Sequence, residues 1–112
     1  MSKSASVPRP KKKTEYELLF VTRAAEKGWQ DLKATQLNAI VDAWDFLTRT
    51  PTARSATNHP LKGNELGSVV HGGKTYERWQ YELKGGARIW FFMEGQRVMI
   101  EQVHTKHPNQ TK

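Results

Sequence analysis

Cysteine is absent from this chain, which excludes disulfides, zinc–thiolate sites and thiol redox chemistry. Long apolar runs are missing as well. The longest, Ile89-Trp90-Phe91-Phe92-Met93, falls far short of the roughly 18 residues a membrane span requires, and reads as a strand. Met1 to Pro10 contains Lys3 and Arg9 but no apolar stretch to form the centre of a secretory signal, so a soluble, cytoplasmic protein without membrane partners is expected. Negative charge is scarce: 11 Asp and Glu stand against 18 Lys and Arg, a net charge of +7. A chain of 112 residues has room for one domain and one core, burying about 60 to 70% of its unfolded surface.

The charge that is present is unevenly placed. Lys3, Arg9, Lys11, Lys12 and Lys13 supply five positive charges and no negative one, interspersed with Ser2, Ser4, Ser6, Pro8 and Pro10. Residues 1–13 therefore read as a disordered basic tail ahead of a single domain over 14–112. Residues 14–45 carry three basic and six acidic side chains, whereas residues 46–112 carry ten basic, five acidic and all four histidines, His59, His71, His104 and His107. A basic half holding every imidazole suits a phosphate-rich partner.

Tyr16 to Val21 reads as a strand, and Thr22 as the cap of a helix in which Ala25, Trp29 and Leu32 recur at helical spacing across Gly28. Thr35 is a candidate cap for a second helix. Its Leu37, Ile40, Val41, Trp44 and Leu47 share one face, expected to be core, and Pro51 ends the run. Residues 51–60 lack periodicity and read as a loop. Strands are expected at Ser68 to His71, Thr75 to Leu83, Ala87 to Met93 and Arg97 to Val103, separated by Gly72-Gly73-Lys74, Lys84-Gly85-Gly86 and Glu94-Gly95-Gln96 turns. With the short extended piece at Ser68 to His71 left out of the count, the expected fold is α+β, of order β-α-α-β-β-β, with an antiparallel sheet and two helices on one of its faces. Alternation along the second of these strands sends Glu77, Trp79, Tyr81 and Leu83 toward the helices. Tyr76, Arg78, Gln80 and Glu82 then lie on an open face, where function is to be sought.

The order of these segments resembles the RelE/ParE family, toxins of type II toxin–antitoxin modules. The residues that carry the resemblance are His59-Pro60-Leu61-Lys62-Gly63, Tyr76 to Leu83, Gly86-Ala87-Arg88-Ile89-Trp90-Phe91, and Val98 to His104 followed by Lys106 and His107. It spans about residues 15 to 107, through short motifs whose order and spacing matter more than any one of them. It implies a microbial-RNase-like fold that cleaves messenger RNA, often on the ribosome, and that an antitoxin protein neutralises. A branch with the same fold poisons DNA gyrase instead, so the fold alone does not fix the activity.

Metal-free RNA cleavage needs a base for the 2′-hydroxyl, a cation for the charge growing on the phosphate and an acid for the departing 5′-oxygen, and it needs no cofactor. Arg88 matches the family's arginine after the hairpin glycine, and a planar guanidinium can hold two phosphate oxygens. His59 stands where ribonuclease members can carry the general base, and His104 and His107 where they often place the acid. An imidazole suits either role near neutrality. Lys62, Arg78, Gln80, Lys84 and Lys106 are the expected RNA contacts. The His104/His107 pair, with no third ligand nearby, is a poor metal site. One departure from the family pattern is the lack of any tyrosine after Tyr81.

Overall fold

A computed structural model describes residues 5–105. Thr22 caps the first helix, α1 (Arg23–Thr35), its hydroxyl accepting the Ala25 N–H at 3.0 Å. The second helix, α2 (Leu37–Arg49), follows with Gln36 as the hinge, and its first turn has no side-chain cap. Thr35 is therefore not a cap. It closes α1, with its hydroxyl donating to Asp31 O at 2.8 Å. The buried stripe of α2 also runs differently from expectation. Ile40, Ala43 and Leu47 face the core, while Leu37 and Val41 are 53% and 44% exposed. Five apolar positions span a wider arc than the sheet covers, so the outer two remain in water.

Among the described residues seven strands accompany the helices: β1 (Glu17–Phe20), β2 (Asn58–Pro60), β3 (Ser68–His71), β4 (Lys74–Glu77), β5 (Trp79–Glu82), β6 (Arg88–Glu94) and β7 (Arg97–His104). Five of them form one sheet in the order β1-β7-β6-β5-β2, and β3 and β4 pair only with each other. The sheet is mixed rather than antiparallel, because β1 runs parallel to β7, with Glu17 beside Arg97 and Phe20 beside Ile100. Alternation reports which residues share a face but carries no information on strand direction. The segment expected to be loop contributes β2. Buried Asn58 donates from Nδ2 to Pro51 O and Ala53 O, both at 2.9 Å, and so pins residues 51–57 to the sheet edge.

The core lies between the helices and one sheet face, where Ala25, Trp29, Leu32, Ile40, Ala43 and Leu47 meet Trp79, Leu83, Ile89, Phe91, Val98 and Ile100. Gly28 permits this contact: a Cβ there would lie 2.9 Å from Val103 Cβ and from Val103 O. Among the described residues no helix is long and apolar enough to cross a membrane.

The other face is not open along its whole length. The expected strand from Thr75 to Leu83 breaks at Arg78, and β3–β4, turning through Gly72 and Gly73 at φ +59° and +80°, folds back as a hairpin. The Tyr76 and His71 rings pack at a tilt against Phe92, at centroid distances of 4.8 and 5.3 Å, and the Tyr76 hydroxyl donates to Glu94 Oε2 at 3.2 Å. Phe92 is fully buried by this cover, and Glu77 is exposed in the hairpin instead of packing on the helices. Burial of its own small apolar layer holds the hairpin to the sheet.

Candidate functional site

Strand register arranges the remaining, uncovered end of this face. His59, Gln80, Trp90 and Gln102 form one cross-strand row, and Glu82, Arg88 and His104 form the next. Directly opposed residues point to the same side, with Cβ atoms about 4.5 to 5.5 Å apart. Arg88 and His104 are therefore immediate neighbours. His59 lies two strands from Arg88, roughly 12 Å between Cα atoms from the sheet spacings. The register thus brings together Arg88, His104 and Glu82, and leaves His59 at the margin.

Trp90 is the centre of the arrangement. It is 1% exposed although it points away from the helices, because polar side chains roof it. Its Nε1–H donates to Gln80 Oε1 at 2.8 Å, the Arg78 guanidinium lies 5.4 Å from its centroid, and the His104 ring meets it edge-on at 4.6 Å. The sequence signal was the alternation Arg88, Trp90, Phe92 against Ile89, Phe91, Met93, hidden by the uniformly apolar character of the strand.

A bulge supplies the second residue that sequence reasoning missed. Trp90 opposes Gln102 and Phe91 opposes Ile100, so Glu101 has no partner on β6. Its carboxylate accepts both Nε and Nη2 of Arg78 at 2.9 Å, a two-pronged pair with side chains only 11% and 14% exposed. Arg78 Nη1 reaches Glu65 O and Leu66 O at 3.4 and 3.3 Å. Arg78 is thus committed to tying the 61–67 loop to β7, and the Gln80 carbonyl to Trp90.

Arg88 has a different environment. Its Nη2 lies 3.5 Å from Glu82 Oε2, at the outer limit of a hydrogen bond, and its side chain is 12% exposed. Its Nε is buried with no hydrogen-bond partner among the described residues, and so is Nε2 of His104. Burial lowers the His104 pKa below the usual histidine value; the Arg88 charge lowers it further, and Glu101 opposes both. His104 is accordingly a neutral imidazole at pH 7. His59 sits with Nδ1 3.1 Å from Pro60 O, which makes Nδ1 the donor and leaves Nε2 with the lone pair when the ring is neutral.

Lys62 is exposed in the loop after β2. Lys84 lies apart, in the β5–β6 turn, where it borders a groove with Tyr81 and Asp42 on the helical side. There burial, then the Asp42 charge, raises the Tyr81 pKa. Lys106 and His107 lie outside the described residues. Among the described residues no three His, Asp or Glu side chains converge as a metal site would require. No protein-family model, curated protein or solved structure matches this chain.

Proposed function

We propose that this chain is a RelE/ParE-like toxin of a type II toxin–antitoxin module and that it cleaves messenger RNA without a metal. The observation that carries this reading is the opposed pair Arg88 and His104, each with a buried, unpartnered nitrogen on the same sheet face. Among the described residues the Arg88 guanidinium has only the 3.5 Å contact to Glu82, so it keeps donors for a phosphate oxygen. Neutral His104 takes the 2′-hydroxyl proton as O2′ attacks phosphorus, and Arg88 holds the non-bridging oxygens as their charge grows. The lowered pKa makes this imidazole a base rather than the acid its position in the sequence suggests. His59, three strands from His104, stands too far off to protonate the oxygen leaving the same phosphodiester, so solvent water supplies that proton, and exposed Lys62 holds the RNA backbone. A neutralising antitoxin with an acidic or amphipathic segment fits the basic half of the domain.

One observation favours the runner-up, a toxin that inhibits DNA gyrase without cutting RNA. Arg78 and Gln80, expected to grip RNA, are engaged within the fold, and Arg88 is partly neutralised by Glu82. Induced expression in growing cells, with transcript ends mapped, separates the two. Growth arrest with new internal cuts in messenger RNA is the expected result. Arrest with intact transcripts, together with loss of supercoiling by purified gyrase, overturns cleavage in favour of gyrase.

A further inference from the structure

The basic segment ahead of β1 plays no part in the site around Arg88, yet its end is fastened to the helical layer. Glu15 is the fastener. Its side chain is 9% exposed and pairs with Arg9 Nη2 at 3.4 Å, and Oε2 accepts the Lys12 backbone N–H at 2.7 Å. The Glu15 N–H donates back to Lys12 O at 3.0 Å, closing a turn, and Tyr16 N–H donates to Thr48 O at 2.8 Å, joining that turn to the end of α2. Between turn and helix lies a cleft of about 360 Å³ walled by Arg9, Lys12, Thr48 and Arg49.

Among the described residues the only carboxylate lining this cleft is Glu15, already paired with Arg9. Among the described residues neither the Lys12 ammonium nor the Arg49 guanidinium has an ion-pair partner, and Lys11 precedes the turn while Lys13 lies within it. We infer that this cleft is a second contact for a nucleic-acid backbone, distinct from the pair at Arg88. A row of cations at Arg9, Lys11, Lys12 and Lys13, with Arg49 facing it, fits a repeating polyanion better than a single phosphate. Adsorption to an anionic lipid surface would need apolar anchors beside the charges, and Val7 is the one large apolar side chain exposed in this segment among the described residues. The two sites are at opposite ends of the sheet. Arg97 stands beside Glu17 near the cleft, and His104 beside Arg88, seven residues further along β7, about 23 Å at strand spacing. No single phosphodiester touches both.

The test uses the full chain with a fluorescein-labelled 20-nucleotide single-stranded RNA, titrated across salt concentrations. The K12Q/R49Q variant keeps the Lys12 backbone bond and the Arg9–Glu15 pair, so its melting temperature is expected to match that of the parent. Its log–log salt slope is expected to be shallower by about 1.4, corresponding to two lost phosphate contacts on a single strand. K11Q/K13Q, which touches no described contact, is expected to weaken binding in the same direction by a smaller amount. An unchanged slope in K12Q/R49Q overturns the inference, as does a loss confined to binding of phosphatidylserine vesicles. R88A distinguishes this inference from the proposed function. Cleavage that survives R88A, alongside a reduced slope in K12Q/R49Q, refutes the catalytic site and leaves the cleft standing, whereas cleavage lost in R88A with an unaltered K12Q/R49Q slope does the reverse.

Discussion

Replacing Arg78 by methionine separates a fastening role from an RNA-gripping one. Two charge-assisted hydrogen bonds of 2.9 Å join Arg78 to Glu101, and with side chains 11% and 14% exposed the pair behaves as buried. Removing one partner strands the other charge in low dielectric, at a cost of about 3 to 5 kcal/mol for a fully buried pair. Residual solvent access on both side chains places R78M at the lower end, about 3 kcal/mol. A methionine still covers the Trp90 face, since its thioether packs well against aromatic rings. With a urea m-value near 2 kcal/mol/M, the unfolding midpoint falls by roughly 1.5 M. The double variant R78M/E101L removes both charges together and is expected to recover to within about 1 kcal/mol of the parent, because the penalty comes from the orphaned carboxylate. Equilibrium urea unfolding followed by tryptophan fluorescence reads all three proteins. A double variant as unstable as R78M refutes the reasoning, as does an R78M protein that unfolds where the parent does.

Two further outcomes follow from the packing and from His104. Gly28→Ala gains about 1 kcal/mol of helix propensity but drives a methyl into Val103, and overpacking of this kind costs roughly 1 to 3 kcal/mol, so a lower urea midpoint is expected. A G28A protein more stable than the parent contradicts the close approach of α1 to β7. Because the folded pKa of His104 is lowered, the unfolded chain binds its proton first. Its contribution to stability is complete above the unfolded value near 6.5 and is lost as pH falls from there through the folded value. Thermal melts between pH 8 and 5 are expected to show that loss in the parent and less of it in H104Q; identical profiles would mean that His104 is not shielded from solvent.

Much of the layout is legible in the residues. Thr22 announces the start of α1, Pro51 the end of α2, and the Gly-Gly pairs the hairpin turns. The alternation from Tyr76 to Leu83 assigns Arg78, Gln80 and Glu82 to the face away from the helices, as observed. Other features depend on tertiary partners that no local pattern records. Whether β1 runs parallel to β7 depends on how two helices return the chain. Arg78 reads as a free surface cation until the bulge after Trp90 turns Glu101 toward it. Trp90 and Phe92 belong to a strand too uniformly apolar to assign its faces, and they are buried beneath polar side chains and a folded-back hairpin on the side opposite the helices. The pairing of Arg88 with His104 needed the register of β6 against β7, which is set by turn length and the bulge rather than by either residue.

Single-turnover cleavage of a defined RNA by the purified protein in excess chelator decides whether Arg88 and His104 cut RNA without a metal. Products ending in 2′,3′-cyclic phosphate and 5′-hydroxyl groups are expected, at a rate that R88A lowers by about 100- to 1000-fold while the variant still melts cooperatively above the assay temperature. Cleavage by R88A at the parent's rate, or no cleavage by the parent under conditions where it binds the RNA, would contradict metal-free cleavage by this pair.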